Sequence, residues 1–211
     1  MSPLTVLLRS HDITLAVLLV IAFIAAIAIH EANHAFVATL LGDDTPRRYG
    51  RLSLNPMRHI DKTGLLVFVL AGFGWSWTPV NPLKLRPNPR AGNAIVAAAG
   101  PIANLVLAIL LSIPIRMHAE LTPELDRLLL IGVILNLILF TFNLIPLPPL
   151  DGFTVLVGVL PRQAAASVKQ LERYGPMLLL AVLFLPTFVG IDIVGMIFRP
   201  VVHAFGLPAL R

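Results

Sequence analysis

Residues 13–42 read ITLAVLLVIAFIAAIAIHEANHAFVATLLG, and within them Glu31 is the only Asp, Glu, Lys or Arg. A run of that length exceeds the roughly 20 apolar residues that carry a helix across about 30 Å of hydrocarbon. Three more stretches without Asp, Glu, Lys or Arg, residues 91–115, 128–150 and 175–191, exceed or approach the same length. The plain count is four crossings. Pro186, Asp192 and Pro200 interrupt the last, which therefore reads either as a kinked helix or as a short helix followed by an interfacial one. A fifth apolar run, from Leu65 to Trp75, is too short to span; with Gly72, Gly74, Trp75 and Trp77 it reads as a re-entrant or interfacial piece.

Composition agrees. Of 211 residues 57% are hydrophobic and 13% charged, with a mean hydropathy of +0.86, whereas the surface of a water-soluble domain needs about a quarter charged residues. The net charge of +5 sits in short loops between the uncharged stretches. Lipid headgroups and topology rules claim it there, so nucleic acid is excluded as a partner. Arg9 followed by an apolar run, with Ala26-Ile27-Ala28 as a nominal cleavage site, imitates a secretory signal. The apolar character continues through Phe36, Val37, Leu40 and Leu41, so the segment is expected to stay.

If residues 65–75 do not cross, Arg47, Arg48, Arg51, Arg58, Lys62, Lys84, Arg86, Arg90, Arg162, Lys169 and Arg173 share one side of the membrane, leaving Arg9, Arg116, Arg127, Arg199 and Arg211 on the other. The excess places the first side in the cytoplasm. The chain reads as one all-α polytopic membrane domain, residues 1–211, with a core at about 13–160 and a C-terminal helical region at about 161–211.

Cysteine is absent, so any metal must be held by His, Asp or Glu. His30-Glu31-Ala32-Asn33-His34 is an H-E-x-x-H pattern inside the first long apolar helix. Residues four apart are about 400° and 6 Å apart along a helix, so both imidazoles leave one face and can share a tetrahedral ion, with zinc the best fit. Glu31, turned by about 100°, is the candidate general base toward a water at the ion's open position. An ionisable group in a spanning helix costs about 2.5–3.5 kcal/mol on insertion scales and marks a functional interior. A third protein ligand is needed, and Asp151, at the end of Asn143-Leu144-Ile145-Pro146-Leu147-Pro148-Pro149-Leu150-Asp151-Gly152, is the best candidate. The prolines should unwind the chain there, an unwound segment dipping inward would carry Asp151 to the level of His34, and Gly152 would permit a turn. His34 lies about 12 Å inside the cytoplasmic end of its helix. The helix between them carries small residues, among them Ala99, Gly100 and Ala103, that allow close approach of backbones in lipid. Asn104 in that helix reads as interhelical glue ahead of a direct catalytic role.

H-E-A-N-H in a membrane helix, Gly100-Pro101-Ile102-Ala103-Asn104 in the next, and residues 143–152 ending in Leu-Asp-Gly together resemble the site-2 protease family of intramembrane zinc metalloproteases. Residues 50–64, with Gly50 to Pro56, His59-Ile60-Asp61 and Gly64, followed by Pro79-Val80-Asn81-Pro82, look like its small bacterial branch without a PDZ domain. The resemblance covers about residues 15–160. It implies His30, His34 and Asp151 as ligands of one zinc ion, Glu31 activating water, and Asn143 helping to hold the scissile carbonyl or its oxyanion. It also implies a three-helix core containing Glu31, Gly100 and Asn136, a single-span membrane protein as substrate, and a bacterial cell (inner) membrane with the active site toward the cytoplasm.

Residues 49–55 alternate, Leu52 and Leu54 against Arg51, Ser53 and Asn55, and are expected either to offer a short strand edge to an unwound substrate or to lie as an amphipathic loop on the membrane. His11, His59, His118 and His203 lack a partner at ligand spacing and are expected in packing roles. Two other classes fit the charged residues in the membrane. A metal transporter would need further ion sites along a polar path, and an inactive helix-binding scaffold would tolerate loss of Glu31 or of a ligand.

Overall fold

A computed structural model describes residues 2–53, 55–189 and 193–205. Among these residues ten α-helices follow in order: α1 Pro3–Ser10, α2 Ile13–Leu40, α3 Thr45–Arg48, α4 Lys62–Ala71, α5 Pro89–Arg116, α6 Pro123–Asn143, α7 Asp151–Val159, α8 Arg162–Lys169, α9 Gly175–Val189 and α10 Ile193–Ala204. Among the described residues α2, α5 and α6 are the helices long and apolar enough to cross a membrane, and the chain is an all-α membrane protein. The fourth expected crossing begins as α9, 15 residues long; its continuation through residues 190–192 lies outside the described residues.

The starts of the long helices are written in the sequence. Asp12, Asn88 and Thr122 each accept the amide three residues on, from Leu15, Ala91 and Leu125. Pro89 and Pro123 occupy the first helical position of α5 and α6, where no amide donor is missed. α4, capped by Asp61 and ended by Gly72 in the left-handed region at φ +83°, is a short apolar helix that does not span, as expected.

Water supplies no driving force between helices in lipid, so their association rests on close packing and buried hydrogen bonds. Ala108 of α5 meets Val133 and Leu137 of α6 in one buried cluster. Ala38 of α2 meets Leu85 and Val96 in another. Phe23 of α2 stacks on Phe68 of α4 with ring centroids 3.7 Å apart, which fixes the short helix against the first span.

No strand occurs among the described residues, and those of 49–55 form turns and bends. A main-chain reason is visible at Gly50, whose φ of +68° breaks an extended run. The described part of the stretch is a loop and not a strand edge, with Leu54 outside the described residues.

Candidate metal centre

His30 and His34 leave the same face of α2 and are buried, and Asp151, 121 residues along from His30, closes on them. The Nε2 atoms of the two histidines are 3.0 Å apart. Oδ2 of Asp151 lies 3.1 Å from His30 Nε2 and 3.3 Å from His34 Nε2. Each histidine turns its other nitrogen outward to an oxygen: Nδ1 of His30 to Asn104 Oδ1 at 2.5 Å, and Nδ1 of His34 to the Val96 carbonyl at 2.7 Å. Donation from Nδ1 in both places selects the tautomer that leaves Nε2 as a lone pair. Oδ2 of Asp151 is buried and has no hydrogen-bond partner among the described residues.

Three electron-rich atoms facing one another at this range are stable around a cation and repel without one. Zinc ligand bonds of about 2.0–2.2 Å at tetrahedral angles separate neighbouring donors by about 3.3–3.6 Å, so the observed 3.0–3.3 Å is within a few tenths of an ångström of that requirement. The donor set of two imidazoles and one carboxylate also suits zinc and leaves a fourth position open. Among the described residues this is the one group of three or more His, Cys, Asp or Glu so placed.

The imidazole positions are set by partners that the sequence only hinted at. Asn104, buried in α5, accepts from His30 and donates to the Ala26 carbonyl at 3.1 Å and to Asn136 Oδ1 at 2.8 Å. Asn136 in turn donates to the Gly132 carbonyl. The chain α6–α5–α2 thus ends on the outward-facing Nδ1 of His30, and the interhelical glue expected of Asn104 is also the orienting partner of that imidazole. Pro101 removes the donor that Ala97 would otherwise receive. In the same stretch the Val96 and Ala99 carbonyls accept from His34 Nδ1 and, at 2.5 Å, Asn33 Nδ2.

Gly100 has a role that reading it as one of several small packing residues did not reveal. A Cβ placed on it would run into Nε2 and Cε1 of His34 and lie 2.7 Å from Cε1 of His30. There is no room for a side chain because the two imidazoles occupy its space.

Asp151 is not on an unwound strand. It is the first residue of α7, and the unwound part is residues 144–150. Gly152 is likewise helical, and serves close approach rather than a turn, since a Cβ there would collide with the Leu144 carbonyl and meet Ile145 O at 2.6 Å. α7 is held from its far end by Arg90 of α5, whose guanidinium donates to the Gly158 carbonyl at 3.0 and 3.1 Å and to Leu160 O, supplying donors to carbonyls at a helix end that has run out of its own.

Glu31 is buried and outside the cluster of donor atoms. Its Oε2 accepts from the Thr78 hydroxyl at 2.6 Å. Asn143 ends α6 and donates one amide hydrogen to the Leu139 carbonyl at 3.0 Å, leaving the second hydrogen of its NH2 group. The remaining histidines stand apart from the triad: His11 and His118 close helix ends at φ +54° and +51°, and His59 is fully buried with Nε2 on the Ser53 carbonyl at 2.6 Å. The side chain of His203 lies outside the described residues.

The profile of peptidase family M50 matches residues 111–185. The chain is 38% identical over 185 residues to "Putative zinc metalloprotease YwhC" of Bacillus subtilis, covering 83% of this chain and 84% of that one. Relatives described in the same words under the name Rip2 occur in Mycolicibacterium smegmatis, 28% identical over 81% of this chain and 68% of the relative, and in Mycobacterium tuberculosis, 29% identical over 82% and 69%. No solved structure gives a significant match.

Proposed function

The chain is a metalloprotease of peptidase family M50, and from that premise we propose that it is an intramembrane zinc endopeptidase cutting a peptide bond in or near the transmembrane segment of a single-span membrane protein. The observation that carries the reading is the meeting of His30 Nε2, His34 Nε2 and Asp151 Oδ2 at 3.0–3.3 Å, with two of the three donors on a helix apolar and long enough to span.

His30, His34 and Asp151 would hold the ion, one per chain. When bound, zinc supplies Lewis acidity that polarises a carbonyl and lowers the pKa of water. Glu31 takes the proton from the attacking water and delivers it to the departing amine. Asn143 offers its spare amide hydrogen to the scissile carbonyl as charge develops on the oxygen. His30, His34 and Glu31 are buried and Asp151 partly so, which limits the access of bulk water to the reacting groups and strengthens each electrostatic contact. A substrate helix must unwind before its carbonyl can reach this point, because its peptide groups are spent on their own hydrogen bonds.

Eight of the sixteen Lys and Arg residues lie between the His34 end of α2 and the first turn of α5, and Arg162, Lys169 and Arg173, which follow α6, join them on that side if α4 does not cross; this excess supports a site opening toward the cytoplasmic leaflet of a bacterial cell membrane. A transporter would need a second cluster of ligands along its path, and the described residues hold one.

Co-expression of the wild type or Glu31→Gln with a panel of epitope-tagged single-span membrane proteins tests the proposal. A fragment released by the wild type and absent with Glu31→Gln is expected. If every fragment seen with the wild type also forms with Glu31→Gln, the endopeptidase reading is wrong.

A further inference from the structure

The segment between α4 and α5 crosses back over α2 and is held at several points. Gly64 meets the Trp75 backbone so closely that a Cβ would overlap Trp75 O. The Ser76 hydroxyl donates to the carbonyl of buried His59, and the Asn81 amide donates to Oδ2 of Asp43 at 2.6 Å. Asp43 is itself fully buried, with its other oxygen on the Thr45 amide. Between these anchors stands Thr78. Its hydroxyl oxygen is 2.6 Å from Oε2 of Glu31 and 3.2 Å from the Glu31 carbonyl.

A hydroxyl has one hydrogen. The shorter distance, and the charge on a carboxylate, assign it to Oε2, since hydrogen bonds to ionised acceptors are the shorter and stronger kind. Oε1 takes no hydrogen bond from the described residues and, unlike Asp151 Oδ2, is not sealed from its surroundings. One carboxylate oxygen of Glu31 is therefore tied to a rigid loop and the other is left for a proton-bearing partner.

We propose that Thr78 is the positioning residue of the catalytic base: by holding Oε2 of Glu31 from the α4–α5 segment, it fixes the rotamer that presents Oε1 to the reacting water. This rests on Glu31 being the base. A glutamate side chain has three rotatable bonds, and a base displaced by about 1 Å can lose on the order of a hundredfold in rate. The ion contacts neither Thr78 nor Glu31 in this assignment, so zinc binding is independent of the Thr78 hydroxyl.

Thr78→Val removes the hydroxyl and keeps the shape, and Thr78→Ser keeps the hydroxyl. With a tagged single-span reporter cut by the wild type in detergent, Thr78→Val should lower kcat by tenfold or more with KM within twofold and one zinc per chain. Thr78→Ser should return kcat to within threefold of wild type. The infrared carboxylate band that Glu31→Gln removes should shift in Thr78→Val and stay in place in Thr78→Ser, a readout that needs no substrate. Unchanged kcat and an unmoved band in Thr78→Val overturn the proposal, as does a Thr78→Ser as slow as Thr78→Val, or a loss of zinc that accounts for the slow rate. If Glu31→Gln itself cuts the reporter at the wild-type rate, the base assignment fails and Thr78 falls with it.

Discussion

Gly100→Ala separates the metal centre from ordinary helix packing, because the two make predictions of opposite sign. Gly to Ala in a helix interior is favourable by about 0.8–1 kcal/mol on propensity alone, so a purely structural glycine should gain stability. At Gly100 the new Cβ would be 2.7 Å from Cε1 of His30 and closer still to His34, where ordinary contact begins near 3.4 Å. His30 alone would have to give about 0.7 Å, and His34 more. Ligand atoms tolerate about 0.2 Å. Neither ring can swing aside alone, since Asn104 and the Val96 carbonyl hold their far nitrogens. α5 must move off α2 or the ligands must leave their positions. Overpacking of this kind costs about 1–3 kcal/mol, which outweighs the propensity gain. Displaced ligands should weaken zinc binding at least as much as loss of an outer partner does, about 10–100-fold, or about 1.4–2.7 kcal/mol. Titration of the solubilised protein against a chromophoric zinc chelator measures it. Gly132→Ala in α6 is the control, because its Cβ would meet only the flexible end of Leu111, at 2.9 Å, and zinc affinity should be unchanged. Gly100→Ala binding zinc within threefold of wild type would refute the reasoning.

Asn104→Ala leaves His30 Nδ1 without its acceptor and Asn136 Oδ1 without its donor. Zinc affinity should fall about 10–100-fold in the same chelator competition, while Asn104→Asp, which keeps an acceptor for His30, should lose less. Arg90→Met strips the donors from the end of α7; thermal unfolding in detergent should show a loss of about 1–3 kcal/mol. Zinc affinity should fall with it, because the same helix begins with Asp151. Lys84 and then Arg48 hold the exposed Asp44 carboxyl below its ordinary value of 3.8. Its contribution is therefore complete above about pH 4 and lost as pH falls through the lowered folded-state value. The small difference in Tm between wild type and Asp44→Asn at neutral pH should vanish in acid.

Two residues of the proposed ligand set and the proposed base were legible because periodicity and chemistry coincide in His30-Glu31-Ala32-Asn33-His34: a spacing of four is one turn, and a charge in an apolar helix is costly enough to mark a working interior. Asp151 was legible as a residue and not as a position, since three prolines announce that a helix ends without saying where the next begins. That boundary is decided by Gly152 packing on the Leu144 carbonyl, a contact between neighbours in space that no period encodes. Three of the four expected crossings, α2, α5 and α6, followed from length and hydropathy alone. At residues 49–55 alternation suggests a strand, but the left-handed φ of Gly50 interrupts the run at its second residue and bends follow at residues 52 and 53. Least visible were the partners that hold the site still. Asn104, Gly100 and Thr78 act on α2 from helices or loops 47 to 74 residues away, and each has an innocuous local reading as glue, small residue or loop hydroxyl. Sequence periodicity reports what a residue does for its own element, whereas an orienting contact belongs to two elements at once. That is why a donor set can be read from a motif while the geometry that makes it usable has to be read from the fold.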